Sequence, residues 1–215
     1  MGDTDTSHLL SPLEKDALQE IMNIAFGQAA ADLSDVINLY VTLTVPHIDI
    51  LRFNGVLPLI SKDIAASNDM GMVKQFFSGK FSGSSVLIFP HGEGKKLLQL
   101  FDENAAASSS DFDVDILEKE TLIEISNIIM GACISKIAEL LKDVVSYSPP
   151  RYYSQEQIHG ALEGAFSGKE SFALFFKTMF HFKEFDASGF LFLISDQNTL
   201  EWLKTAIEEY LSQYA

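Results

Sequence analysis

The chain has 215 residues, of which 47% are hydrophobic and 21% charged, a balance typical of a globular protein rather than a disordered one. Its formal net charge is −15, which disfavours nucleic acids and anionic membrane surfaces as partners. Because no uninterrupted apolar run approaches the roughly 20 residues that span a bilayer, we expect no membrane insertion. The single cysteine, Cys133, allows no intrachain disulfide, and we therefore expect a cytoplasmic protein.

Two long helices are predicted, each at the start of one half of the chain. Residues 1–10 are expected to form a flexible N-terminus. Ser11, followed by Pro12 at the first helical position and by Glu14, predicts a capping box and a helix that runs to about Asn38. Asp115 is expected to cap the second helix, which should end near Asp143.

The segments between these helices indicate strands, and each half should end on a further helix. Val41 to Leu51 alternates in polarity and contains Pro46, which we expect at a sheet edge or bulge. Further strands are predicted over residues 72–79, 81–90, 171–182 and 187–196, and helices over 94–101 and 198–211. The stretch before the second strand of each half has no regular pattern.

The two halves match each other at an offset of 104 residues over the long helix and the following proline, which carries Glu20 to Glu124, Asn23 to Asn127, Gly27 to Gly131 and Pro46 to Pro150, and residues 81–90 resemble residues 187–196. Self-similarity of this kind indicates duplication. We therefore predict an α+β fold made of two α-β-x-β-β-α halves, 11–104 and 115–215, joined by a linker over 105–114. The halves should be related by a pseudo-twofold axis, with their long helices packed on a shared β-sheet in one compact domain.

Each long helix should carry a stripe of polar residues and glycine along one face. Helical residues advance by ~100°, so spacings of three, four and seven return to the same face within ~60°. The first stripe consists of Asp16, Glu20, Asn23 and Gly27, and the second stripe consists of Glu120, Glu124, Asn127 and Gly131. Asparagine and glycine are poor helix formers, so their matched positions suggest a surface built for close approach of a partner.

A carboxamide is neither a nucleophile nor a base, but it donates and accepts hydrogen bonds at once. It could hold a water molecule in line with a phosphoryl phosphorus, which is sufficient chemistry for an acylphosphate that is already reactive. A glutamate one turn earlier could pair with a lysine of the partner, and the glycine would let the partner's backbone lie against the helix. The five histidines show no zinc-binding spacing, and the single cysteine, Cys133, has the small and apolar neighbours of a buried structural thiol.

The stripes resemble the signature of the CheC/CheX/FliY family of CheY-phosphate phosphatases. Its pattern is Asp or Ser, three residues, Glu, two residues, Asn, twenty-two residues and Pro. The pattern occurs twice here at every spacing, with Glu120 in place of the usual Asp or Ser. Two complete motifs in one chain are most similar to a two-site CheC.

The resemblance implies a phosphatase that acts on an aspartyl phosphate of a CheY-like response-regulator receiver. It implies that Asn23 and Asn127 orient the attacking water, that Glu20 and Glu124 anchor the partner, and that the neighbouring stripe residues contact it. The protein would need no cofactor of its own, because the receiver would supply Mg²⁺. The deamidase CheD is a further possible partner.

Two other interpretations remain open on the residues alone. The stripes could dock a phosphorylated receiver or another chemotaxis component without catalysis, as an adaptor would. The repeats could also be a scaffold on which the stripes are ordinary solvated helix faces.

Overall fold

The computed structural model describes residues 9–52, 55–56, 58–60, 70–90, 92–98, 111–166, 172–184, 186–195 and 197–212. The predicted flexible N-terminus therefore lies outside the described residues up to position 8, and the predicted linker up to position 110. The helices and strands, in chain order, are α1 Pro12–Ile37, β1 Val41–Leu43, β2 His47–Arg52, β3 Gly71–Ser78, β4 Gly83–Phe89, α2 Glu93–Leu98, α3 Asp111–Leu140, β5 Ser146–Tyr147, β6 Arg151–Ser154, α4 Gln155–Phe166, β7 Phe172–Phe182, β8 Ala187–Ser195 and α5 Gln197–Ser212.

Helix α1 begins and ends where the sequence predicts. The Ser11 hydroxyl accepts a hydrogen bond from the Glu14 amide at 3.3 Å, and the Glu14 carboxylate accepts one from the Ser11 amide at 2.6 Å. Both halves of the predicted capping box are thus present. At the other end Asn38 adopts a left-handed conformation, with φ of 53°, and closes the helix.

Helix α3 begins earlier than predicted. It starts at Asp111 rather than after Asp115, so Asp115 lies inside the helix and is not its cap. The sequence from Asp111 to Val114 contains neither glycine nor proline, and acidic residues are favourable in the first turn of a helix, so nothing stops the helix at Asp115. The last part of the predicted linker, 111–114, is therefore helical.

The described strands form one antiparallel sheet of eight strands. Its order is β1-β7-β8-β4-β3-β5, while β2 also pairs with β7 and β6 also pairs with β3. The strands at the centre, β4 and β8, come from different halves of the chain. The short strands near each edge pair with the long strand of the other half, so the two halves are interlocked through backbone hydrogen bonds.

The predicted strands agree with these bounds, with two differences. The strand expected over 41–51 is divided into β1 and β2, and Pro46 lies between them, as expected for a residue that cannot donate to a ladder. The stretch before β7, for which no regular structure is predicted, contains helix α4. Among its residues whose burial is described, 155–163, the buried apolar ones are Ile158 and Leu162, and they form too short a pattern to reveal a helix by periodicity.

Apolar residues cover both faces of the sheet. On one face α1, α3 and α5 pack over a large core that includes Phe81, Phe176 and Phe180. On the other face a smaller cluster brings Ile158 and Leu162 of α4 against the strands. The long helices are therefore held along their inner faces, which leaves their outer faces for the two stripes.

Helix α3 is apolar because it is a core helix. From Asp115 to Leu140 it is long and apolar enough to cross a membrane by length and composition alone. However, 56% of the 18-residue segment that meets this test is buried inside the fold. Burial against the sheet and α1 accounts for the apolar residues, as in the core helix of a folded domain.

Candidate functional site

The first stripe lies on the outer face of α1. Asp16, Glu20 and Gly27 are exposed, and Asn23 is partly buried. The opposite face of the helix is buried in the core at the positions that the sequence predicts, which are Leu18, Ile21, Met22, Ala25 and Ala29. Because these apolar residues fix the rotation of the helix, the stripe residues are held toward solvent on one surface.

The second stripe lies on α3 in the same manner. Glu120, Glu124 and Asn127 are exposed, and Gly131 is partly buried. The inner face of this helix is formed by buried residues that include Leu122, Ile125, Ile129, Met130 and Ile134. Each stripe thus presents a carboxylate, a carboxamide and a glycine within two helical turns.

The glycine of each stripe faces open space. A Cβ atom added at Gly27 or Gly131 would meet no heavy atom within 4 Å among the described residues. Packing within the protein therefore does not require glycine at these two positions. A glycine in a helix interior costs about 1 kcal/mol relative to alanine, so its use here leaves a shallow gap at a stability cost.

The carboxamide of Asn23 is held by a neighbouring glutamine. Gln19 donates a hydrogen bond from Nε2 to Oδ1 of Asn23 at 3.2 Å. The same Nε2 atom donates to the main-chain carbonyl of Pro46 at 3.1 Å. The proline of the motif thus lies beside the asparagine, joined to it through the Gln19 side chain.

The carboxamide of Asn127 is held in the same way from a different element. Gln75, in β3, donates from Nε2 to Oδ1 of Asn127 at 3.0 Å. It also donates to the main-chain carbonyl of Ser148 at 2.9 Å. The Ser148 segment is in turn fixed to β3, because its amide donates to the carbonyl of Phe76 at 2.9 Å and its hydroxyl accepts from the Phe76 amide at 3.0 Å.

A tyrosine borders the second stripe. The Tyr147 hydroxyl lies 2.9 Å from Oγ of Ser135, and it donates to the main-chain carbonyl of Gly131 at 3.5 Å. Partial burial raises the pKa of Tyr147, while the hydrogen bond with Ser135 acts in the opposite direction. The phenol is therefore neutral near pH 7 and can donate a hydrogen bond. The position 104 residues earlier is Leu43, so the first stripe lacks this hydroxyl.

An exposed aromatic side chain borders the second stripe. Tyr147, whose hydroxyl donates to the carbonyl of Gly131, is 37% exposed. Phe76 follows Gln75 in β3 and is 52% exposed, but successive side chains of a strand alternate between its faces, so Phe76 lies on the opposite face of the sheet, beside Lys74. Of these two side chains, Tyr147 is the one placed beside a stripe, where an exposed aromatic residue is typical of surfaces that contact a protein partner.

Neither the cysteine nor a metal-binding cluster provides a second candidate site among the described residues. Cys133 is fully buried on the inner face of α3, and burial raises the pKa of its thiol strongly, so it is not poised as a nucleophile. Within the described parts of the chain, no three His, Cys, Asp or Glu side chains are grouped so that they could hold a metal ion.

The glutamines and the tyrosine are the residues that the sequence analysis missed. Gln19 had a local signal, since it lies four residues before Asn23 on a predicted helix. The signal for Gln75 was weaker. It is a carboxamide in a mostly apolar strand, where Lys74 is the other polar residue between Met72 and Phe77. Only the folded chain shows which asparagine each glutamine contacts.

The sequence is similar to known phosphatases of bacterial chemotaxis. Residues 13–50 match the CheC-like family. The flagellar motor switch phosphatase FliY of Bacillus subtilis is 24% identical over 142 residues, which cover 66% of this chain and 36% of FliY. The CheY-P phosphatase CheC of the same organism is 24% identical over 131 residues, which cover 60% of each chain. The chain thus spans less than two thirds of the length of either relative.

The fold is similar to that of solved structures from the same group. FliY of Thermotoga maritima superposes with a TM-score of 0.68 at 19% identity, over 94% of this chain and 98% of that one. CheX in the CheX-CheY-BeF₃-Mg²⁺ complex of Borrelia burgdorferi gives 0.51 at 16% identity, over 80% and 96%. At these identities the structural likeness shows the fold. Together with the sequence matches, it confirms the predicted resemblance of this chain to the CheC/CheX/FliY family.

Proposed function

We propose that this protein is a phosphatase that hydrolyses the aspartyl phosphate of a CheY-like response-regulator receiver. The observation that carries the proposal is the geometry of the two stripes. Each presents an asparagine whose Oδ1 is fixed by a glutamine, one turn from an exposed glutamate and one turn from an uncovered glycine. The names of the relatives CheC and FliY, and the CheX-CheY complex, support a CheY-like partner.

The asparagines, Asn23 and Asn127, would orient the attacking water. An amide oxygen has two lone pairs, so Oδ1 can accept from the water while it accepts from glutamine, and Nδ2 can donate to a phosphoryl oxygen. The water oxygen bonds to phosphorus as the bond from phosphorus to the aspartyl oxygen breaks, and the proton of the water passes to the phosphate. The products are inorganic phosphate and a free aspartate carboxylate.

The remaining stripe residues would hold the partner. Glu20 and Glu124 are exposed carboxylates one turn before the asparagines, in position to pair with a lysine of the receiver. Asp16 and Glu120 extend the acidic surface by one turn. Gly27 and Gly131 leave room for the backbone of the receiver, and the partly exposed ring of Tyr147 would add contact area beside the second stripe.

The metal ion of the reaction would belong to the receiver. We propose that Mg²⁺ is bound by the receiver with its phosphoryl group and that this chain needs no cofactor of its own. CheD remains a possible partner. A cytoplasmic location is part of the proposal, because the substrate is a two-component signalling protein.

The same proposal extends to the architecture, in which the two halves are related by an approximate twofold axis. At the centre of the sheet, Val86 of β4 pairs with Phe192 of β8, and these residues correspond when residues 81–90 are matched with residues 187–196. A residue that pairs with its own counterpart is expected where such an axis crosses the sheet. The two stripes would then be two copies of one site.

The test is loss of phosphate from a CheY receiver that has been phosphorylated with acetyl phosphate in Mg²⁺. The wild-type chain should accelerate the loss, Asn23→Ala and Asn127→Ala should each reduce it, and the double variant should abolish it while its circular dichroism is unchanged. A double variant with full activity contradicts the proposal. Binding of the receiver without acceleration would instead favour the adaptor interpretation.

A further inference from the structure

The two asparagines are held by the same arrangement of hydrogen bonds. In each case a glutamine uses one amide nitrogen to contact Oδ1 of the asparagine and the main-chain carbonyl of a residue near the motif proline. The carbonyl belongs to Pro46 in one case and to Ser148 in the other. Since a main-chain carbonyl is fixed by the fold, the glutamine is held between a rigid point and the carboxamide that it orients.

The two glutamines do not occupy equivalent positions. Gln19 is in α1, and the position 104 residues later is Ile123. Gln75 is in β3, and the strand registers make Thr178 of β7 its equivalent, because Phe77 pairs with Tyr147 as Phe180 pairs with Leu43. Duplication would place matching residues at matching positions, so common ancestry does not account for the two glutamines. The same hydrogen bond from a glutamine to the asparagine is formed by different elements in the two halves, which indicates that the site requires it.

The burial of Gln75 is difficult to explain by stability. Its side chain is only 2% exposed, and its Oε1 atom has no hydrogen-bond partner among the described residues. A buried acceptor without a partner costs about 1–3 kcal/mol, and an apolar residue in this strand would avoid that cost. Gln75 is therefore better explained by what its amide group does to Asn127 than by its packing.

We infer that Gln19 and Gln75 are positioning residues that select one orientation of the Asn23 and Asn127 carboxamides. The two ends of an asparagine amide are nearly equal in size, so an unrestrained side chain at the surface can rotate and exchange its oxygen with its nitrogen. A glutamine donor at Oδ1 excludes the exchanged orientation, because two amide NH₂ groups would then face each other. This inference rests on the proposed phosphatase function for its effect on rate.

The experiment measures the contribution of each glutamine to kcat in a chain in which the asparagine of the other stripe has been replaced by alanine. Gln75→Met is made with Asn23→Ala, and Gln19→Met with Asn127→Ala, because methionine keeps the length of glutamine without its amide. We expect kcat for the phosphorylated CheY receiver to fall by about tenfold or more, with KM changed less than about twofold, since orientation and not binding is lost. Gln28→Met, at an exposed glutamine of α1 outside the stripe, is the matched control.

Two further measurements separate positioning from a general effect on the fold. The melting temperature of Gln75→Met should equal or exceed that of the wild type, because the orphaned Oε1 is removed. Gln75→Met should add no further loss of rate when Asn127 is already alanine. An equal loss with and without Asn127, or a lower melting temperature in proportion to the loss of rate, would overturn the inference.

Nuclear magnetic resonance separates this inference from the proposed function. The side-chain NH₂ signals of Asn127 should shift and broaden in Gln75→Met, whether or not the protein proves to be a phosphatase. If the wild type fails to accelerate dephosphorylation but these signals respond, the proposed function is wrong and the contact is real. If the wild type is active and neither the signals nor kcat respond to Gln75→Met, the positioning role is wrong.

Discussion

The Nζ atom of Lys136 lies 3.0 Å from Oδ2 of Asp32, so an ion pair joins α3 to α1. These residues are separated by 104 positions, the offset that also carries Asn23 to Asn127. Contacts between the two halves of the chain therefore occur both between the long helices and between the central strands, β4 and β8. The edge strands of each half also pair with a strand of the other half, so each half depends on the other to complete the sheet.

Neither half should fold alone. Residues 11–104 contain β1 and β2, which pair with β7 of the other half, while β5 and β6 of residues 115–215 pair with β3. A separate half would leave these strands without partners and the apolar face of its sheet uncovered. Each half expressed alone should show no cooperative unfolding transition by circular dichroism, and the two expressed together should recover it. A cooperative transition in either isolated half would contradict this prediction.

The sequence alone predicted the features that depend on local patterns. The capping box of Ser11 and Glu14, the buried face of α1 and most strand bounds follow from residues that are close in sequence. The start of α3 was misplaced because Asp111 and Asp115 are both acceptable first-turn residues, and the sequence between them contains no residue that stops a helix. The length of a helix beyond a possible cap depends on contacts that periodicity does not encode.

The arrangement around the asparagines could be predicted only in part. The stripes follow from helical spacing, which places Glu124 and Asn127 on one face. The contact of Gln75 with Asn127 joins residues that are 52 positions apart and depends on how α3 lies across β3. A repeat argument would also have searched for the partner of Asn127 at position 123, where Ile123 stands. Such a contact requires tertiary structure.

The stripe glycines should be unfavourable for stability and favourable for docking. Gly27→Ala and Gly131→Ala should each raise the free energy of unfolding by up to about 1 kcal/mol, because a Cβ atom there meets no neighbour and alanine is the better helix former. Leucine at the same positions should raise KM for the phosphorylated receiver severalfold, since it fills the gap that the partner would use. Urea denaturation and steady-state kinetics measure the two effects.

Gly160→Ala is the matched control for the stripe glycines. Gly160 is an exposed glycine of α4 that also has open space around its Cβ position. Gly160→Ala should raise the free energy of unfolding by a similar amount and leave KM for the phosphorylated receiver unaltered. A rise in KM for Gly160→Ala, or none for leucine at both stripe glycines, would show that the stripes are not the docking surface.

The stripe glutamates should act on binding more than on the chemical step. Glu20→Gln with Glu124→Gln keeps the shape of both side chains and removes their charge, so a charge-assisted contact to a receiver lysine is lost. Because such contacts contribute about 1.5–3 kcal/mol, KM should rise by about tenfold or more while kcat changes little. The dependence of KM on salt should also become weaker. Glu208→Gln, at an exposed glutamate of α5, should change neither value.

The capping box should make stability sensitive to acid. Hydrogen bonds from the Ser11 hydroxyl and amide lower the pKa of Glu14 below the ordinary value of a glutamate side chain. A lowered pKa in the folded state adds stability above the unfolded pKa, and this stability is lost as the pH falls through the folded value. Glu14→Gln should therefore be less stable than the wild type at pH 7, and the difference should shrink below about pH 4.5.

Urea denaturation of both proteins between pH 7 and pH 3 measures this difference. Ser11→Ala provides a second variant, which should lose about 1 kcal/mol at pH 7 because the amide of Glu14 loses its acceptor. Glu156→Gln, at an exposed glutamate in the first turn of α4, serves as the control. If the stability difference between the wild type and Glu14→Gln were constant down to pH 3, the capping box would not be the source of acid sensitivity.

Cys133 should behave as a structural thiol whose reactivity reports unfolding. It is fully buried, and burial raises the pKa of its thiol, so both access and thiolate formation are suppressed in the folded protein. A thiol reagent such as dithionitrobenzoate should react slowly in buffer and rapidly in urea above the unfolding transition. Cys133→Ala should lower the free energy of unfolding by about 1 kcal/mol through a small cavity and leave phosphatase activity intact. Loss of activity in a folded Cys133→Ala chain, or rapid labelling in buffer, would instead indicate that this face of α3 opens to solvent during function.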